Sequence, residues 1–194
     1  MLEKIITSKS RRNLLAFFAE REEGEFYLRE LHKEMEEPLA ALQRELKMFE
    51  KIGLVQSRWV GPMKYFKLNK FHPFWQELRA LFLKEKRKKL LDKNLNRMVK
   101  ILKEKYRPEK IILYGSYASG QIHPDSDLDL LIVKKDVPER YWDRIRELSP
   151  LLAQRDVALD YTIWTPQELA DNGTRSFVRE EIVKKGKVLY EKAS

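Results

Sequence analysis

Leu113-Tyr114-Gly115-Ser116-Tyr117-Ala118-Ser119-Gly120, followed closely by Asp125-Ser126-Asp127-Leu128-Asp129-Leu130-Leu131-Ile132-Val133, is the stretch on which the reading of this chain turns. Leu128 to Val133 is apolar and partly β-branched, as expected of a central strand covered on both faces. Side chains at i and i+2 of a strand share a face, so Asp127 and Asp129 stand side by side at its entrance with no basic residue between them. Such a pair repels itself, and a divalent cation held against both carboxylates relieves the repulsion. The pattern points to Mg²⁺ chemistry. Ile111 to Tyr114 is a second short apolar run that ends in Gly115-Ser116, where small residues leave backbone N–H groups open to a phosphate.

Ten residues separate Ser116 from Asp127. The order of strand, Gly-Ser, short gap, Asp-x-Asp and buried strand resembles the signature of the DNA polymerase beta-like nucleotidyltransferase superfamily, its minimal stand-alone branch above all. Further on, Asp156 to Trp164 alternates and puts Ala158, Asp160, Thr162 and Trp164 on one face of a third strand. A carboxylate there is either the partner of a nearby base or the third member of a metal cluster. Asp156 falls on the same face, but beside Arg155 it reads as half of an exposed ion pair. Leu159-Asp160-Tyr161-Thr162, then Thr165-Pro166-Gln167-Glu168-Leu169, is similar to the minimal nucleotidyltransferases, and the resemblance implies that Asp160 completes an acid triad. A final helix is expected over 177–185, and Gly186-Lys187-Val188-Leu189-Tyr190 resembles the family's closing segment, so the likeness spans roughly 90–191.

That resemblance implies a chemistry. Asp127, Asp129 and Asp160 would hold two Mg²⁺ ions, Gly115 and Ser116 would hold the triphosphate of ATP or another NTP, and Asp160 would also deprotonate an acceptor hydroxyl. Minimal relatives commonly pair with HEPN-type ribonuclease toxins and adenylylate a toxin tyrosine. Such a toxin, another protein or a small molecule is therefore the implied acceptor.

Composition divides the chain. Its 194 residues suffice for two small cores. Residues 1–107 hold 26 Lys and Arg against 15 Asp and Glu, net +11, whereas residues 108–194 hold 13 against 15, net −2. The basic excess suits a polyanion, duplex DNA first. There is no cysteine, which excludes disulfides and thiolate metal sites, and His32, His72 and His123 are not spaced as zinc ligands. With no secretory signal and no long apolar run, the expectation is a cytoplasmic protein with no membrane contact.

The N-terminal half reads as three helices and a hairpin. Leu14, Leu15, Phe17 and Phe18 sit at helical spacing with Ser10 as N-cap, Leu31 and Met35 mark a second helix, and Pro38 opens a third. In the third helix Leu42, Leu46 and Phe49 face inward while Gln43, Arg44 and Lys47 face out. Leu54 to Val60 and Lys64 to Leu68 are β-rich runs joined by Gly61-Pro62-Met63. Leu28-Arg29-Glu30-Leu31, Gln43-Arg44-Glu45-Leu46, Gly53-Leu54-Val55 and Tyr65-Phe66-Lys67-Leu68-Asn69 resemble winged helix-turn-helix regulators of the ArsR-like kind. In such a module Gln43 would meet base edges, Arg44 and Lys47 bases or phosphates, and Arg58 and Lys64 phosphates, and a homodimer is compatible with it. Glu36 and Glu37, just before the third helix, would face phosphate unfavourably.

The expected fold is thus a two-domain α+β and α/β protein. A winged helix-turn-helix over 1–83 and a basic seam over 84–89 precede a minimal nucleotidyltransferase domain over 90–194, a small mixed sheet flanked by helices. Three functions fit: a transferase with a DNA-binding domain, a DNA-binding regulator whose transferase fold only senses nucleotide, and a partner-binding antitoxin.

Overall fold

In the computed structural model of the chain, residues 2–123, 125–172 and 178–192 are described. Among the described residues the chain is mixed α and β with two small sheets, and it divides into two compact units, Met1–Lys86 and Arg87–Ser194.

The first unit opens with α1 (Leu2–Ile5) and α2 (Lys9–Glu20), then β1 (Glu25–Tyr27), α3 (Leu28–Met35) and α4 (Leu39–Lys51). Ser8, not Ser10, caps α2, its Oγ accepting from the Arg11 N–H at 3.2 Å. Ser10 is instead buried and donates to Glu37 Oε2 at 2.5 Å. Pro38 precedes α4, whose Leu42, Leu46 and Phe49 pack with Leu14, Phe18 and Leu31 in one core. A tight turn at Gly61-Pro62, with Gly61 at φ +58°, joins β2 (Val55–Val60) to β3 (Met63–Leu68). β1 pairs with the other side of β3, giving the antiparallel order β1-β3-β2.

Glu37 departs from expectation. It is buried, accepting from Ser10 and from Asn13 Nδ2 at 2.8 Å, with Lys9 Nζ 3.2 Å away. The Ser10 hydroxyl and the other donors hold its carboxyl below the usual range despite burial. Its charge is met within the fold. Glu36 alone stays exposed, in the left-handed conformation that closes α3.

Helix α5 (Trp75–Ile101) carries the boundary between the units at Lys86 and Arg87, within the basic run 84–89, which is helical throughout. Lys and Arg are good helix formers and no Gly or Pro interrupts them. A π-helical turn, Leu102–Tyr106, ends at Arg107, and among the described residues no helix is long and apolar enough to cross a membrane.

The second unit is built on β4 (Lys110–Tyr114), β5 (Leu128–Val133), β6 (Leu159–Trp164) and β7 (Lys187–Glu191) in the order β6-β5-β4-β7. β4 is antiparallel to β5 and β7, and β5 is parallel to β6. A parallel pair needs a crossover, and α7 (Tyr141–Leu148) with the 3₁₀ turn Ser149–Leu152 supplies it. One sheet face packs Ile111, Leu113, Leu130 and Ile132 against Leu91, Leu95 and Met98 of α5. The other face packs Ile112, Leu131 and Val133 against Val178 and Ile182 of a π-helical segment, Val178–Lys184. Phe177, where the final helix was expected to begin, lies outside the described residues. β6 starts at Leu159, so Asp156 precedes the strand and does not share its face.

Candidate active site

Strand register assembles the site. Tyr114 of β4 is paired with Asp129 of β5, and Asp129 with Asp160 of β6, so the three side chains form one rung on one face of the sheet. Asp127, two residues before Asp129, joins that face. Asp127, Asp129 and Asp160 each offer a carboxylate oxygen, and these oxygens all lie within 4.8 Å of one another. Asp127 and Asp129 are half-buried, whereas Asp160 is exposed. Leu159 and Ile163 point into the core on the opposite face, leaving Asp160 open to solvent.

The electrostatics match the geometry. Burial, and then the charges of Asp127 and Asp160, push the Asp129 carboxyl up to about 6. Burial and then Asp129 also raise the Tyr114 phenol, against the opposing effect of its hydrogen bond with Thr162. Hard carboxylate oxygens crowded together in this way are a donor set suited to a divalent cation such as Mg²⁺.

Gly115 begins directly after the rung. It has φ +74°, and a β-carbon built on it would overlap Asp129 Oδ2 and stand 2.8 Å from Asp129 Cγ. Only glycine leaves the carboxylate its space. The short helix α6 (Gly115–Ala118) follows, and the Ser116 carbonyl accepts from Gln121 N at 2.9 Å and Ser119 Oγ at 3.0 Å.

Asp156 lies outside the cluster. Its N–H donates to Asn94 Oδ1 at 3.0 Å, and its carboxylate stands 3.7 Å from Arg97 Nη2, so its ionic partner is Arg97 rather than Arg155.

In the first unit Gln43, Arg44 and Lys47 are exposed on α4. Arg58 and Lys64 are already paired. Arg58 Nε is 2.9 Å from Glu25 Oε2, and Lys64 Nζ is 2.8 Å from Glu50 Oε2. A groove of about 800 Å³ between α4 and the hairpin is lined by Gln43, Lys47, Lys64, Tyr27, Trp59 and Met63.

Sequence reasoning missed the groups around the site. Tyr114 read only as a strand end, because its place in the rung follows from pairing with Asp129 of a different strand. Asp92, which accepts from the Tyr117 hydroxyl, left only the Lys88–Asp92 spacing of a helical ion pair as a signal. Arg144 carries no mark in the sequence that sets it apart from the other charges of its helix. It is buried, forked onto Glu168 at 2.6 and 3.0 Å and donating to the Ile163 carbonyl at 3.0 Å, and so ties α7 to β6 and to α8 (Pro166–Asn172).

A protein adenylyltransferase, provisionally so named, from Methanocaldococcus jannaschii is 34% identical over 101 residues, covering 51% of this chain and 97% of the relative. A second M. jannaschii protein under the same provisional name is 45% identical over 91 residues, covering 46% of this chain and 88% of the relative. A crystal structure of a provisionally named nucleotidyltransferase from Sulfolobus solfataricus has 19% identity and a TM-score of 0.39, covering 58% of this chain and 87% of that one. The profile of the family described as polymerase beta, nucleotidyltransferase matches residues 96–194, just over half of the chain. The carboxylate-bearing sheet thus lies inside the matched region, and the chain belongs to the polymerase beta nucleotidyltransferase family.

Proposed function

We propose that this nucleotidyltransferase moves an adenylyl group from Mg-ATP to a hydroxyl of a protein acceptor, and that residues 1–83 form a winged helix-turn-helix that binds duplex DNA. The observation that carries the first part is the convergence of Asp127, Asp129 and Asp160 within 4.8 Å, beside a glycine pressed against Asp129. Asp127 and Asp129 would hold Mg²⁺, with Asp160 as third ligand. Bound Mg²⁺ neutralises the charge of the triphosphate. Gly115 and Ser116, at the end of the adjacent strand, receive the phosphates.

Asp160 is the exposed member, within reach of an incoming hydroxyl, and takes its proton. The hydroxyl oxygen forms a bond to the α-phosphorus, the bond from that phosphorus to its bridging oxygen breaks, and pyrophosphate leaves. The provisional names of the M. jannaschii relatives favour ATP as donor and a protein as acceptor, of which a tyrosine of a HEPN-type toxin is one candidate.

The DNA-binding part is supported by the net charge of +11 over residues 1–107 and by exposed Gln43, Arg44 and Lys47 on α4. Arg58 and Lys64 would exchange carboxylate partners for phosphate. The test is transfer of label from α-labelled ATP to co-expressed or neighbouring-gene proteins with Mg²⁺, alongside binding of the whole chain to duplex DNA. Labelled protein and salt-dependent DNA binding are expected. ATP binding without transfer to any acceptor would instead favour a nucleotide-sensing regulator.

A further inference from the structure

One segment of α5 grips both halves of the site. Arg87 donates from Nε to the Ser126 carbonyl at 2.9 Å and from Nη2 to the same oxygen. Ser126 is buried, directly precedes Asp127, and is bonded to His123 in both directions, by His123 N to Ser126 Oγ at 2.7 Å and Ser126 N to His123 O at 3.1 Å. Five residues along α5, Asp92 accepts from the hydroxyl of Tyr117, which is 7% exposed and follows Ser116 directly. The other oxygen of Asp92 is held by Lys88 Nζ at 2.7 Å.

These contacts have a common consequence. Asp127 lies before β5 begins, and α6 is a helix of four residues opened by a glycine, so neither is fixed by sheet hydrogen bonds alone. A site of mutually repelling carboxylates needs its backbone held from outside. We infer that Arg87 and Asp92 are positioning residues for nucleotidyl transfer. Arg87 sets the carboxylate of Asp127 through the Ser126 carbonyl, and Asp92 sets Gly115 and Ser116 through Tyr117. This rests on the assignment of Asp127 and Asp129 to the cation and of Gly115-Ser116 to the triphosphate. It divides the work: the Arg87 contact governs cation affinity, and the Asp92–Tyr117 contact governs nucleotide affinity.

The experiment measures Mn²⁺ binding by electron paramagnetic resonance, and ATP binding at saturating Mn²⁺ by calorimetry, on the full chain. Arg87→Met should weaken Mn²⁺ binding roughly tenfold, as loss of a ligand's outer support does, and Arg87→Lys should restore part of it. Tyr117→Phe keeps the ring in the core and should weaken ATP binding roughly fivefold, the loss of one buried hydrogen bond, while Mn²⁺ binding is retained. A general loosening would instead lower both affinities together with the melting temperature. That result, or wild-type affinities in both variants, overturns the inference. Asp129→Asn is the control for the underlying assignment. If it binds Mn²⁺ as the wild type does, the cation site itself is misassigned and the inference falls with it, whereas if it loses Mn²⁺ and Arg87→Met does not, the positioning role of Arg87 alone falls.

Discussion

The backbone of Gly115 lies so close to the carboxylate of Asp129 that a β-carbon there would overlap Oδ2, and Gly115 holds a φ of +74° that other residues rarely adopt. Gly115→Ala therefore meets two penalties. The strained backbone costs about 1–2 kcal/mol, and the methyl displaces a carboxylate of the acid cluster. The expected outcome is a folded protein whose Mg-ATP affinity falls by more than tenfold, on the order of 1.4 kcal/mol or more, measured by calorimetry beside a thermal melt. Unchanged affinity in the alanine variant would mean that the Asp129 carboxylate has other room.

Asp129 makes the cation-free protein sensitive to pH. Its carboxyl is raised from the usual 3.8 to about 6 by burial and by Asp127 and Asp160. The folded chain therefore binds a proton that the unfolded chain releases, and stability in EDTA falls as pH rises from about 4 to about 6. Asp129→Asn removes the repulsion and should be the more stable protein at pH 7, by roughly 1–2 kcal/mol after allowance for solvent screening, with the advantage gone near pH 4. Denaturant midpoints at the two pH values check this. An Asn variant less stable at pH 7 would contradict it.

The first unit contains a carboxylate of opposite behaviour. Glu45 of α4 is buried, and although burial pushes its carboxyl up, the hydrogen bonds from Arg11 Nε at 2.8 Å and Ser8 Oγ at 2.9 Å outweigh it and hold it low. Its contribution is present above the ordinary carboxylate range and is lost as pH falls through the depressed value. Glu45→Ala should cost about 1–3 kcal/mol near neutral pH, because it removes two bonds and the acceptor that fixes the Ser8 cap. An unaltered denaturant midpoint would show that Ser8 and Arg11 find equivalent partners.

For the proposed DNA-binding surface, Arg44→Ala on α4 should weaken duplex binding and lower the salt slope by about one. Arg58→Ala tests something different, since Arg58 hydrogen-bonds Glu25 at 2.9 Å, a closer hold than the 3.6 Å that separates Arg44 from Glu45. A smaller loss there than at Arg44 is expected in fluorescence anisotropy titrations over a range of salt. Binding with no salt slope in the wild type would rule out phosphate contacts by α4.

Much of this was legible in the sequence because strand alternation is a strict rule. Once Asp127 and Asp129 flank Leu128, they share a face, and the alternation around Asp160 places it on a face by the same logic. Pairing is not local, and that is where the reading stopped. The rung through Tyr114, Asp129 and Asp160, the separation of Asp156 from it by Asn94 and Arg97, and the hold of Arg87 and Asp92 on the site join residues far apart in the chain. The same limit explains the helix cap. Ser8 and Ser10 are equal candidates by type, and the choice follows from buried Glu37 drawing Ser10 inward.

Asp160, as proposed, completes the site and takes the acceptor's proton. The direct measurement is transfer of label from α-labelled ATP to the acceptor protein by Asp160→Asn and Asp156→Asn chains side by side, with ATP binding measured on each. Asp160→Asn should fold, retain much of its ATP affinity through Asp127, Asp129 and Gly115-Ser116, and lose transfer by a factor of roughly 10²–10⁴, the usual worth of a general base. Asp156→Asn, whose carboxylate faces Arg97, should transfer nearly as well as the wild type. An inactive Asp156 variant beside an active Asp160 variant would move the base from Asp160 to Asp156.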